Sequence, residues 1–302
     1  MTDQALYNNL LARFDAELQQ QPDKPDETAE TTLKALWLTA SGIPVSVCSA
    51  QNHPLPALDK RQKKKLESFV EQRLEGIPLA HITGRQQFME VELLAGPEAL
   101  IPRKETEILA GAAVRLLQDI EGRSSRPQIM DVCTGAGNLA IVLAIKCPGS
   151  LVFAADLSSD AVALARKNVE FHHLNDRVEV RTGDLFEPFD TENFLHSVDL
   201  ITCNPPYIST ARVGEMDEEI SQHEPSLAFD GGAFGIKILH RVIKEAPRFL
   251  KKGGWLAIEV GLGQGETMLK RMVKKYSYSD VTPCCDQNGA IRAIFARKGD
   301  TM

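Results

Sequence analysis

The sequence predicts an α/β fold: a mostly parallel sheet wrapped by helices on both faces, behind a small helical domain. Three observations predict it. From Pro127 onward, short apolar runs alternate with stretches of helical periodicity, the pattern of repeated β-α units. The first 85 residues carry apolar positions at helical spacing and little period-two alternation. Between these parts the segment QQFMEVELLAGPEALIP changes character. There FMEVEL alternates like a strand before a Gly-Pro turn, so a short hairpin linking the two parts is expected. The expected division is a helical domain over 1–85, a hairpin linker over 86–110 and an α/β domain over 111–302.

Each element has its own signal. Leu10, Leu11, Phe14 and Leu18 recur at helical spacing, as do Leu33, Leu36, Trp37 and Ala40, with the turn QPDKPDET and its cap between them. A third helix is expected over about 57–75, with Leu58, Leu66, Phe69, Val70 and Leu74 on its apolar face. In the second part IMDV, LVFAAD, RVEVRTGD, VDLITC, WLAIEVG and GAIRAIFARK read as strands. LAIVLAIKC, SSDAVALARKNVEFHH, about 233–250 and QGETMLKRMVKKY read as helices. Ser158 or Ser159 is placed to cap the second of these. No internal repeat is visible.

Composition narrows the function. A chain of 302 residues allows about two domains. A net charge of −7 argues against a protein that holds nucleic acid by bulk charge. The basic run Lys60, Arg61, Lys63, Lys64 and Lys65 reads as a solvated helix face. None of the six cysteines forms a C-x-x-C pair, so neither a disulfide framework nor a zinc ribbon is expected. His172 and His173 are adjacent and so face different sides of a helix, and the remaining histidines are scattered; no metal site is expected. The first twenty residues carry acids and amides where a secretion signal needs a basic and then an apolar stretch. The apolar run LAIVLAI stops at Lys146, too short to span a bilayer. A soluble, cytoplasmic protein is expected.

Two turns carry chemistry. Residues 131–138, DVCTGAGN, join a strand to a helix, where open α/β sheets bind ligands. Gly135 and Gly137 let backbone approach a ligand. Asp156, at the end of the next strand, lies 19 residues after Gly137, the separation of an acid that grips ribose hydroxyls. Gly183, Asp184 and Leu185 end the third strand and could set an acceptor and an apolar wall beside an adenine ring. Taken alone, the turn could equally serve packing, with Asp156 on the surface. It lacks the third Gly of a dinucleotide fingerprint, so a compact nucleoside suits it better than a pyrophosphate.

The second turn is Asn204-Pro205-Pro206-Tyr207, directly after VDLITC. Two prolines stiffen the chain and remove two N–H donors. The Asn204 side-chain oxygen and the Pro205 carbonyl can then both accept from one planar NH2 group, with Tyr207 against its face. Such a corner fits an amide or an exocyclic amine.

The segments DVCTGAGNLAI, GDLF, NPPYI and IEVGLGQGE, with Asp156 and Glu224-Pro225, resemble class I S-adenosylmethionine-dependent methyltransferases that methylate nitrogen. More narrowly, EGIPLAHITGRQQFMEVEL, LIPRKETEIL and HEPSLAFDGGAFGI resemble the HemK/PrmC family of protein-(glutamine-N5) methyltransferases. The resemblance implies a Rossmann-like domain over 111–302 with a mostly parallel seven-stranded sheet, and a substrate-recognition role for the helical domain. It implies that Cys133, Thr134, Gly135, Ala136, Gly137, Asp156, Leu157, Asp184, Leu185 and Asn204 bind S-adenosylmethionine. Asn204, Pro205 and Tyr207 would be catalytic, and Asn204, Pro205, Pro206 and Tyr207 would hold the substrate. The implied partner is a peptide chain release factor, methylated on the glutamine of its Gly-Gly-Gln motif in translation termination. A monomer with no stable nucleic-acid or membrane partner is expected. Arg103, Glu105 and Thr106 would flank the cofactor or the substrate entrance. The chain departs from the family pattern at Cys133, where Gly is usual, at Asn138 and in GAIR. An NPPY corner also serves base-amine methylation of nucleic acids. A divergent paralogue acting on another protein or a small amide, and a non-catalytic cofactor-binding partner, are further alternatives.

Overall fold

The structure, a computed structural model, describes residues 2–21, 23–122, 126–214, 218–276 and 278–299. It opens with helices α1 (Asp3–Glu17), α2 (Ala29–Ser41), α3 (Val47–Ala50), α4 (Lys60–Leu74) and α5 (Leu79–Thr83). Strands β1 (Arg85–Phe88) and β2 (Val91–Leu94) and helix α6 (Thr106–Glu121) follow. The alternating part contains β3 (Gln128–Val132), α7 (Asn138–Lys146), β4 (Leu151–Asp156), α8 (Ser159–Phe171), β5 (Val178–Thr182) and β6 (Val198–Cys203). Next come α9 (Thr210–Val213), α10 (Glu218–His223), α11 (Lys237–Glu245), β7 (Leu250–Glu259), α12 (Gly265–Tyr276), β8 (Ser279–Cys285) and β9 (Ile291–Arg297). The chain forms two compact units, one of residues 1–97 with 217–224, the other of the remainder.

In the first unit the apolar spacing does what it predicts. Leu6, Leu10 and Phe14 bury one face of α1. Helix α2 is buried nearly throughout, from Leu33 to Ala40. It is capped at its start by the Thr28 hydroxyl and closed by Gly42 in the left-handed region, at φ 98°. Leu66 and Val70 bring α4 into the same core. Trp37 is buried in it, and its indole N–H donates to the Pro56 carbonyl at 2.8 Å. Burial of each such side chain stabilises the unit by roughly 1.5–3 kcal/mol.

The hairpin differs from the sequence reading. FMEVEL is not one strand; the turn falls inside it, at Met89 and Glu90. Alternation survives because Phe88 and Val91 face each other across the turn, and Phe88, Val91 and Leu93 are all buried.

The second unit is built on a seven-stranded sheet of order β5-β4-β3-β6-β7-β9-β8, parallel from β5 to β7 and antiparallel at β9 and β8. Strand β8 was not legible: SDVTPCC is mostly exposed and carries Pro283, so it lacks the pattern of a buried strand. Helix α7 is apolar all round and buried from Leu139 to Ala144, as expected of a helix packed against a sheet and other helices. The helix expected over 233–250 is shorter, because a 3-10 turn containing Pro247 ends α11. Strand order reverses between β3 and β6. The carboxyl ends of those two strands therefore open the crevice in which α/β sheets bind ligands. Among the described residues no helix is long and apolar enough to cross a membrane.

Candidate active site

The crevice at the carboxyl ends of β3, β4, β5 and β6 is a cleft lying wholly within the second unit. Its first wall is the turn after β3. Asp131, fully buried in β3, accepts the Thr134 hydroxyl at 2.6 Å and the Thr202 hydroxyl at 2.7 Å. One carboxylate thus fixes the turn to the neighbouring strand β6. Burial pushes its pKa up to about 6, against the two hydroxyl bonds that lower it.

The turn itself is left-handed at three residues: Cys133 at φ 59°, Gly135 at 55° and Gly137 at 84°. A non-glycine residue at 133 therefore sits in a backbone region that glycine adopts without strain. The Cys133 side chain packs against the core that contains Cys203. A Cβ on Gly135 would meet nothing within 4 Å, so the turn is open on that side. Gly137 is different. A Cβ there would press on Ala165 and Ile141 at 3.3 Å, so this glycine serves helix packing.

Asp156 ends β4. Its Oδ2 accepts the Gly135 N–H at 2.8 Å and its Oδ1 accepts the Ser158 N–H at 2.9 Å. Each carboxylate oxygen retains a second lone pair, so the group can hold a diol while locking the turn. Burial raises its pKa above the usual carboxylate range. Leu157 and Leu185 are apolar walls, and Leu157 is 55% exposed into the open cleft. Asp184 lies beside them and is paired with Arg241 at 2.9 Å. The carboxylate, the open glycine turn and the apolar walls fit the ribose, the methionine part and the adenine of S-adenosylmethionine.

Strand β6 delivers Asn204. Its side-chain Nδ2 donates to the Thr106 hydroxyl at 3.1 Å, at the start of α6. The Tyr207 phenol donates to Glu259 Oε1 at 3.1 Å, at the end of β7. Gln264 Nε2 donates to the Tyr207 carbonyl at 3.0 Å and to the Gly235 carbonyl at 3.2 Å, tying two loops beside the NPPY corner. Burial, together with the Glu259 carboxylate, raises the Tyr207 phenol well above its ordinary value, so it remains a donor.

Of the residues singled out in the sequence, Cys133, Thr134, Gly135, Asp156, Leu157, Asp184, Leu185, Asn204 and Pro206 line this one cleft. Ala136, Gly137, Pro205 and Tyr207 are not among its lining residues. Ala136 is buried and its carbonyl accepts from Asn168 at 3.0 Å, and Pro205 is also buried. Arg103 and Thr106 reach the cleft from the linker segment, with Leu100 and Pro102. Leu227 and Ile238 contribute from beyond the NPPY corner. The sequence carried no signal for Thr202 or Glu259, whose roles depend on neighbours far along the chain.

The comparisons agree with this geometry at the level of class. Residues 106–234 match the methyltransferase small domain, and the fold is that of an S-adenosylmethionine-dependent methyltransferase. The catalytic domain of hMettl16, solved in complex with a MAT2A 3′UTR hairpin, shares the fold with a TM-score of 0.53 at 17% identity. The match covers 82% of this chain and 86% of that one. More narrowly, the chain is 32% identical over 267 residues to the release factor glutamine methyltransferase of Geobacter sulfurreducens, covering 88% of this chain and 89% of the relative. It is also 32% identical to that of Gloeobacter violaceus, over 79% and 81% of the two chains. The chain belongs to the release factor glutamine methyltransferase family.

Proposed function

We propose that this protein transfers the methyl group of S-adenosylmethionine to the side-chain amide nitrogen of a glutamine in a peptide chain release factor, the glutamine of its Gly-Gly-Gln motif. The observation that carries the reading is the placement of Asn204. It sits at the carboxyl end of β6 in the same cleft as Asp156, with its Nδ2 spent on Thr106 and its Oδ1 left as an acceptor.

The cofactor supplies an electrophilic methyl on a sulfonium. The chain's own residues do the rest. Asp156 accepts the ribose hydroxyls, and Leu157 and Leu185 enclose the adenine. An amide nitrogen is a poor nucleophile because its lone pair is delocalised. Asn204 Oδ1 and the Pro205 carbonyl accept its two N–H bonds, which aims the lone pair and stabilises positive charge growing on nitrogen. Orientation and fixed dipoles are therefore the source of rate. Pro206 and Tyr207 keep the corner rigid, and the surplus proton leaves to water.

The helical unit recognises the release factor, the protein works in the cytoplasm as a monomer, and it holds no nucleic acid stably. The net charge of −7 supports the last point. The test is incubation with methyl-labelled S-adenosylmethionine and a release factor beside its Gln→Ala variant. Label on the parent factor and none on the variant is expected. Equal label on both would refute the reading.

A further inference from the structure

We infer, on the reading that a release factor glutamine is the methyl acceptor, that Phe234 and Leu262 form an apolar pad that docks the substrate chain just after that glutamine. They are the two most exposed large apolar side chains among the described residues, 81% and 72% exposed. A single exposed Phe or Leu is ordinary. These two stand on the two loops that pack against the NPPY corner.

Glycines bring the loops there. A Cβ on Gly235 would stand 2.1 Å from the Tyr207 carbonyl oxygen, and one on Gly231 would stand 2.6 Å from the Pro206 carbonyl oxygen. A Cβ on Gly261 would stand 2.9 Å from Cδ2 of the Tyr207 ring. Hydrogen bonds then hold the loops in place. The Ile208 N–H donates to the Phe229 carbonyl at 3.0 Å, and the Gly231 N–H donates to the Ile208 carbonyl at 2.8 Å. Gln264 fixes both loops with one amide. Its Oε1 accepts the Gly261 N–H at 3.0 Å, while its Nε2 donates to the Tyr207 and Gly235 carbonyls. Gly231, Gly235 and Gly261 are buried. Each loop is thus pinned through its backbone, and each still turns one large apolar side chain to solvent. Side chains on a pinned backbone meet a partner with little further loss of freedom.

Position and chemistry choose the partner. Consecutive Cα atoms lie about 3.8 Å apart, which puts the Phe234 Cα within about 8 Å of the Tyr207 carbonyl oxygen and the Leu262 Cα within about 8 Å of the Tyr207 ring. An extended chain advances about 3.3–3.6 Å per residue. A substrate whose glutamine occupies the corner therefore lays the residues two or three away over the pad. In a Gly-Gly-Gln motif the preceding glycines bring no side chain, so the apolar side chain that meets Phe234 and Leu262 follows the glutamine. Residues 231–236 and 260–265, GGAFGI and VGLGQG, carry no charge. A charged substrate residue there would lose water and gain no partner. The pad also continues the cleft, because the segment that carries Phe234 lines the cleft with Leu227, half-exposed.

A contact this far from the reacting nitrogen is made equally in the bound substrate and the transition state, so its loss raises KM and leaves kcat. The test uses the full chain with F234S, L262S, the double variant and F234L. The substrates are a release factor and a variant of it with serine in place of the apolar residues within three positions after the target glutamine. Each serine variant of the enzyme should raise KM about 10-fold, the size of an anchor lost from an interface, with kcat and calorimetric cofactor affinity unchanged. F234L should keep most of the parent KM. The parent enzyme should discriminate against the serine-substituted factor, and the double variant should not, a coupling that a general loss of stability does not produce. The Leu262 methyl resonances, assigned with L262S, should shift when the release factor is added. A parent-like KM in the double variant, undiminished discrimination by it, or Leu262 methyls indifferent to the release factor would overturn the inference. Self-association of the parent that the double variant abolishes would assign the pad to a second copy of the chain and overturn it too. If the parent methylates no release factor, the proposed function fails, and the Leu262 titration still decides the docking.

Discussion

At the scale of single residues, groups that act on the substrate are distinct from groups that hold the cofactor. Asn204→Ala removes an acceptor and should lower turnover by on the order of 100-fold, while calorimetric affinity for S-adenosylmethionine is largely kept. Asp156→Ala should do the opposite and weaken cofactor binding, since it loses the diol acceptor and releases the Gly135 and Ser158 N–H groups together. Two buried acids set a pH dependence of stability. The folded-state values of Asp131 and Glu259 are raised, to about 6 and about 7. Their contribution is full below the unfolded carboxylate range and is lost as pH rises through those values. The melting temperature should therefore fall as pH rises from the ordinary carboxylate range to neutrality and level off above it, and E259Q should flatten the upper part of that fall; an unchanged slope in E259Q would contradict it. Asn204, Asp156 and Gly135 were legible because each lies in a short local motif whose chemistry is complete within a few residues. Glu259 was not. In WLAIEVG it reads as one acid in an apolar strand, and only the fold brings Tyr207, Thr106 and Arg292 around it.

At the scale of elements, legibility followed burial. Strands β3, β4 and β6 are short apolar runs closed by turn residues and were read correctly, as was the Ser158 cap, whose hydroxyl accepts from Ala161 at 3.2 Å. Edge strand β8 escaped because exposure leaves it polar. The hairpin was misplaced because its turn carries no Gly or Asn. Met89 and Glu90 both have positive φ, 49° and 66°, the signature of a type I′ turn that Asn-Gly usually fills. Glu90→Gly should therefore stabilise the protein by about 1 kcal/mol, read as a rise in denaturant midpoint; a fall would show that the turn is not strained. Close to the site, Gly235→Ala should be costly. Its Cβ would stand 2.1 Å from the Tyr207 carbonyl oxygen, so the loop that Gln264 ties to the NPPY corner would have to move.

At the scale of the whole molecule, the chain leaves the second unit after the NPPY corner, enters the first at residues 217–224 and returns. Within the first unit α10 is held by ionic contacts. Arg73 donates to Glu219 at 2.9 Å and to Glu27 at 3.2 Å, and Lys24 also pairs with Glu219. Burial would raise Glu219, but Lys24 and Arg73 hold it below the usual carboxylate range. Arg73→Met would leave two buried carboxylates short of a cation, a loss of roughly 3–5 kcal/mol. The loss should shrink at lower pH as those carboxylates protonate; a loss independent of pH would mean the charges are not what α10 rests on.

The central claim is that Asn204 presents a protein glutamine to the methyl donor. Peptide mass spectrometry of a release factor, incubated with S-adenosylmethionine and either the parent enzyme or N204A, tests it most directly. The account predicts a single methyl on one glutamine side chain with the parent and almost none with N204A. Methylation at a different residue type, or equal methylation by both proteins, would contradict it.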